Sequence, residues 1–102
     1  MKKNSLIVAE TPEELAGALG LGDAEAQEWR VQHALFERFA KAVDESGLPH
    51  AEIARRAGSS RPRVTAILNG NLDNVSTDLL VRLLGAIGYR VEVSVSRMEP
   101  AA

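Results

Sequence analysis

The chain of 102 residues contains no cysteine, which excludes disulfides, thiolate zinc sites and a cysteine nucleophile together. That absence fits a reducing cytoplasm. Aromatic residues are scarce at 4%, so a core has to be assembled from Leu, Ile, Val and Ala, a bias that favours helices. Long apolar runs are missing as well. No segment approaches the length of a membrane span. The apolar stretch from Leu6 to Ala9, behind Met1-Lys2-Lys3, is far too short for the hydrophobic region of a signal peptide. Histidine occurs twice, as His33 and His50, and neither has a partner at metal-ligand spacing. No Ser–His–acid set, catalytic carboxylate pair or phosphate-loop motif stands at recognisable spacing. The expectation is a protein without catalytic activity, cofactor or metal.

What is present is one modest globular domain. Hydrophobic residues at 45% and charged residues at 25% are ordinary for a folded chain with a single core. The net charge of −2 conceals a polarised distribution. Residues 1–28 carry two lysines against six acids, a net of −4. Residues 29–70 carry seven bases against four acids, a net of +3. The remainder is near neutral. Distribution matters more than the sum when a polyanionic partner is considered.

Thr11-Pro12-Glu13-Glu14 reads as a helix start, with Thr11 as cap, Pro12 at the first helical position and Glu14 closing a capping box. Leu15, Ala16 and Leu19 form its apolar side, and Gly20 and Gly22 end it. Asp23 then caps a long helix to about Ser46, whose Leu35, Phe36, Phe39 and Val43 make one buried stripe. Trp29 and Phe36, seven residues apart on one face, read as core. Gly47 stops the helix. A short helix follows over 49–57, broken by Gly58. Ser60 caps another from Arg61 to Leu68, which Asn69-Gly70 terminates. Asn71 to Val75 is turn-forming. Ser76 caps a last helix carrying Leu79, Leu80, Leu83, Leu84 and Ile87, ended by Gly88. The period then switches to two: Arg90-Val91-Glu92-Val93-Ser94-Val95-Ser96 alternates polar and apolar, the pattern of a half-buried strand. Leu6-Ile7-Val8 is a second strand candidate. The chain thus divides into an N-terminal arm (1–22), a helical domain (23–89), a strand (90–97) and a tail (98–102).

The informative stretch is 49–70. Two short helices flank a turn containing Gly, a helix-turn-helix arrangement. Ala54 is small enough for the helices to approach closely, and Gly58 suits the left-handed conformation of a sharp turn. Val64, Ile67 and Leu68 anchor the second of the two helices. Pro62, Thr65, Ala66 and Asn69 are left on its outer face, with Arg61 and Arg63 reaching out from its first turn. Such a helix suits the major groove of DNA. Arg61 or Arg63 is suited to bond guanine bidentately, and Thr65 or Ala66 to touch a thymine methyl. The helix start at His50 suits a backbone phosphate. Asn69, Asn71 and the loop to Asn74 are placed to hold phosphates of the opposite strand. The Arg55-Arg56 pair reads as a solvated helix face. A lone strand over 90–97 has an unsatisfied edge, so Val91, Val93 and Val95 are expected at a dimer interface, paired with a second copy or with Leu6 to Val8. The acidic N-terminal segment reads either as a partner-binding arm or as a capped, solvated helix.

Leu48 to Arg61, together with Val64, Ile67 and Asn69-Gly70, resembles the helix-turn-helix of the Xre/Cro family of phage and bacterial repressors. The longer pattern is similar to one branch, the HigA-type antitoxins and their stand-alone relatives. Its marks are Thr11-Pro12-Glu13-Glu14-Leu15, Val75-Ser76-Thr77-Asp78-Leu79-Leu80 and Leu83-Leu84-Gly85-Ala86-Ile87-Gly88-Tyr89-Arg90-Val91. The resemblance implies a mainly α, five-helix, lambda-repressor-like bundle with a short C-terminal β-strand. It implies base contacts at Arg61, Pro62 and Ala66, and phosphate contacts at His50, where the family often has Gln, and near Asn69. Ser59 departs from the family's apolar residue after the turn glycine, and Pro62 removes a donor from the first helical turn. The resemblance further implies a cytoplasmic homodimer on double-stranded operator DNA that regulates its own operon. For the antitoxins it implies a bound mRNA-cleaving toxin of the RelE class. Stand-alone regulators and protein-binding inhibitors with secondary DNA binding are the alternative outcomes.

Overall fold

The computed structural model describes residues 22–98. Four helices follow in order: α1 (Asp23–Ser46), α2 (His50–Ala57), α3 (Arg61–Leu68) and α4 (Thr77–Ala86). The expected helix over Thr11 to Leu19 lies outside the described residues, as does the candidate strand Leu6 to Val8. The described residues therefore hold four helices, not the five of the expected bundle.

Each boundary has a local cause. The cap of α1 is Gly22 rather than Asp23; Asp23 and Glu25 instead lie in the first turn, where acids complement the helix dipole. Gly47, at φ 68°, closes α1 in the left-handed region, donating its N–H to the Val43 carbonyl. Ser60 and Ser76 cap α3 and α4 as their sequence positions imply. Ser60 Oγ accepts from the Arg63 N–H and Ser76 Oγ from the Leu79 N–H. Helix α4 stops at Ala86, slightly before the expected glycine, and Gly88 follows at φ 93°.

The core is a single cluster. Phe39, Ile53, Val64, Ile67, Leu80 and Leu83 are fully buried, joined by Ala42, Val43, Ala54, Ala57, Val75, Leu84 and Ile87. Helix α1 packs on α4, and α2 packs on both α3 and α4. Helix α3 thus rests on α2, whose small Ala54 and Ala57 are buried. Leu35 and Phe36 cover the edge of the core. Trp29, expected inside, is only half-buried: it lines a surface cleft with Val75, Ser76 and Thr77, and the indole stacks on the His33 ring at a centroid distance of 3.7 Å. Gln32 Nε2 donates to the Val75 carbonyl at 2.7 Å, tying α1 to the residue before the α4 cap.

The expected strand over 90–97 is not formed. Val91 packs against the core, but Val93 and Val95 are 83% and 89% exposed. A strand is stabilised by its ladder to a neighbour, and the described residues supply no second strand beside it. The backbone nonetheless sets side chains two apart on one side, since Arg90 Nε reaches Glu92 Oε2 at 3.3 Å. Among the described residues, no helix is long and apolar enough to cross a membrane.

Candidate nucleic-acid interface

The two helices α2 and α3 meet at a corner made by Gly58, whose φ of 69° lies in the left-handed region. The Ser59 N–H donates back to the Ala54 carbonyl at 2.9 Å, closing the corner. The angle so fixed buries Val64 and Ile67 and turns the opposite side of α3 outward. Along that side Arg61, Pro62, Thr65, Ala66 and Asn69 line one shallow groove. The four residues expected on the outer face, Pro62, Thr65, Ala66 and Asn69, are brought together with Arg61 from the first turn. Arg61 is exposed and makes no hydrogen bond or ion pair among the described residues, so its full fork of donors is available.

The other candidates are arranged differently. His50, in the first turn of α2, is half-buried, and its Nδ1 lies 2.8 Å from Thr65 Oγ1. Arg63 stands apart from the groove: its Nη2 donates to the Asn74 carbonyl at 2.7 Å, so it braces the loop after α3. Asn74 itself holds a left-handed φ of 58°, a conformation that Asn tolerates better than most residues. Asn71 shapes the same loop, its Oδ1 accepting from the Asp73 N–H at 3.1 Å and its N–H donating to the Ala66 carbonyl at 3.0 Å. Val91, Val93 and Val95 lie on the C-terminal segment and line no part of this groove.

Charge on α2 is compensated only in part, one carboxylate facing two guanidiniums. Glu52 accepts from Arg55 Nη2 at 2.5 Å and from Arg56 Nε at 2.8 Å. These bonds, Arg55 first and Arg56 second, hold the Glu52 carboxyl down at about 2, from an ordinary 4.5. The Arg55-Arg56 pair thus belongs to a surface ion-pair cluster, while Arg61, lining the groove, has no ion-pair partner among the described residues. Among the described residues no three of His, Asp and Glu converge to hold a metal ion.

Two features of the site escape sequence reasoning: the His50–Thr65 contact and the bracing of Arg63 by Asn74. Both join residues far apart in the chain, and no local periodicity encodes them. A partial signal for the second was the turn-forming run Asn71 to Val75.

No curated protein and no solved structure matches the chain. Residues 19–96 match the family described as helix-turn-helix domain, a span that takes in all four helices and the corner at Gly58. The chain belongs to the helix-turn-helix domain family.

Proposed function

We propose that this protein is a sequence-specific, double-stranded-DNA-binding repressor that acts as a cytoplasmic homodimer on an inverted-repeat operator, including that of its own gene. The observation that carries the reading is the outer side of α3: Arg61, without a hydrogen bond or ion pair among the described residues, beside Pro62, Thr65, Ala66 and Asn69 in one open groove. A helix presented in this way places its N-terminal residues toward base edges in the major groove. Arg61 is the guanine reader, and Thr65 and Ala66 face thymine methyls. His50, which adjoins the groove through Thr65, Asn69, which lines it, and Asn71 in the following loop are the phosphate contacts. The C-terminal segment supports the dimer through Val93 and Val95, whose apolar side chains stand in solvent where a second copy would cover them, while Val91 packs on the core of its own chain.

Within this reading the protein has no enzymatic role and needs no cofactor. Its resemblance to HigA-type antitoxins supports a second activity on the same chain, capture of a RelE-class toxin through the acidic N-terminal segment. A gene for a small basic protein beside its own would favour that activity over a stand-alone regulator.

The test is a titration of the full chain against the duplex immediately upstream of its gene and against a scrambled duplex of equal length. The expected result is tighter binding to the first, with affinity for both falling steeply as salt rises. Equal affinity for the two would rule out a sequence-specific repressor.

A further inference from the structure

We propose that the cleft between the helix-turn-helix corner and the start of α4 seats a backbone phosphate of the bound duplex, with Arg82 as a phosphate ligand outside the helix-turn-helix motif. This rests on the DNA-binding reading above and extends the interface to a residue on α4.

Arg63 and Arg82 line one cleft with Ser59, Ser60, Ser76 and Asp78. The cleft exists because α3 packs on α2, which leaves the beginnings of α3 and α4 apart. Arg63 is pinned at its wall by the bond to the Asn74 carbonyl. That bond uses one of its five donors and leaves the others for a ligand. Arg82 is exposed and makes no hydrogen bond or ion pair among the described residues, although Asp78 stands one helical turn before it. Ser60 Oγ and Ser76 Oγ act as acceptors from Arg63 N–H and Leu79 N–H. Their hydroxyl protons therefore remain to be donated outward. Two guanidiniums and two outward hydroxyl donors on one concave surface are the chemistry of an oxyanion site.

The position selects the source of that oxyanion. A helix lying in a major groove has a phosphate strand along each of its sides. Residues 63 and 65 of α3 lie on opposite sides, about 200° apart at ~100° per residue. The Thr65 side is bordered by His50, and the Arg63 side by this cleft. A duplex seated on α3 thus brings its second phosphate strand to Arg63 and Arg82. Asp78, at the same cleft, opposes that approach.

The experiment measures binding of the full-length Arg82→Ala, Asp78→Asn and Arg38→Ala variants to the upstream and scrambled duplexes across a salt series. Arg38 is the equal-charge control, on a separate cleft with Leu35 and Leu84. Arg82→Ala is expected to weaken both duplexes by the same factor and to reduce the salt slope by about 1. Asp78→Asn is expected to strengthen both, and Arg38→Ala to leave the slope unchanged. Circular dichroism confirms that each variant is folded. An Arg82→Ala slope equal to that of the parent or of Arg38→Ala, while the parent still binds the upstream duplex, overturns this inference alone. Inorganic phosphate that raises the melting temperature of the parent but not of Arg82→Ala, with DNA binding unaffected, assigns the site to a free anion and also overturns it. A parent chain that binds neither duplex overturns the DNA-binding reading itself.

Discussion

The imidazole of His50 is within hydrogen-bond distance of the Thr65 hydroxyl, Nδ1 to Oγ1 at 2.8 Å, and this contact joins the first turn of α2 to the outward side of α3. The residue placed toward a phosphate strand thereby holds a residue placed toward bases. His50→Ala and Thr65→Val each break the contact and are expected to weaken operator binding by about 1 kcal/mol, roughly fivefold. Because both remove one interaction, the double variant should lose much less than the sum. Fluorescence anisotropy with the three variants checks this, and strictly additive losses would show that the contact does not matter for binding.

Arg61 and Arg63 separate in their effects. Arg61 is exposed and makes no hydrogen bond or ion pair among the described residues, so Arg61→Ala should leave the melting temperature unchanged while costing about 1–3 kcal/mol of preference for the operator over scrambled DNA. Arg63→Ala removes the brace to the Asn74 carbonyl. It should lower thermal stability and weaken both duplexes alike. Paired melting and binding curves distinguish the two; a stability loss confined to Arg61→Ala would contradict the assignment.

Glu52 carries a defined acid response. Its carboxyl is held at about 2 against an ordinary 4.5 by Arg55 and Arg56. A group whose folded pKa is depressed stabilises the fold above its unfolded pKa and loses that contribution as pH falls toward the folded value. The window is therefore pH 4.5 down to 2. Glu52→Gln should melt below the parent at neutral pH, and the gap should close across that window. A gap independent of pH would mean that the variant acts through packing rather than charge.

Gly58 adopts φ 69°, and a Cβ built there meets nothing within 4 Å. The cost of Gly58→Ala is consequently backbone strain alone, about 1–2 kcal/mol. In a domain of this size each kcal/mol is a melting shift of roughly 4–8 °C. Calorimetry of the variant is expected to show that loss with DNA specificity retained at low temperature.

Val93→Glu together with Val95→Glu should convert the proposed dimer to monomers without unfolding the chain, since both side chains are almost fully exposed within it. Sedimentation velocity reads the state directly. Monomeric parent protein at binding concentrations would remove the dimer from the proposal.

Much of the helical frame was legible before any coordinates. The boundaries of α3 follow from Ser60, Pro62 and the terminating Asn69-Gly70, because capping and breaking act through neighbours in the chain. The outward face of α3 followed from the spacing of Val64, Ile67 and Leu68, since 3.6 residues per turn assigns the remaining positions to the other side. The C-terminal segment forms no strand for the complementary reason. Alternation at Val91, Val93 and Val95 encodes which side is apolar, but a strand also needs a neighbour, and the described residues provide none. Trp29 lies in a surface cleft rather than the core because helical period locates a face without saying how tightly a neighbour closes over it.

The amino-acid order alone determined where the chain turns helical, where each helix stops and which side of α3 points away from the core, for these depend on hydrogen bonds and periodicities a few residues long. That Arg63 is engaged while Arg61 is not was decided only when separate segments met: Arg63 reaches the Asn74 carbonyl across the loop, and Arg61 makes no hydrogen bond or ion pair among the described residues. Charge pairing acts over a few ångströms of space, and three-dimensional packing sets those distances.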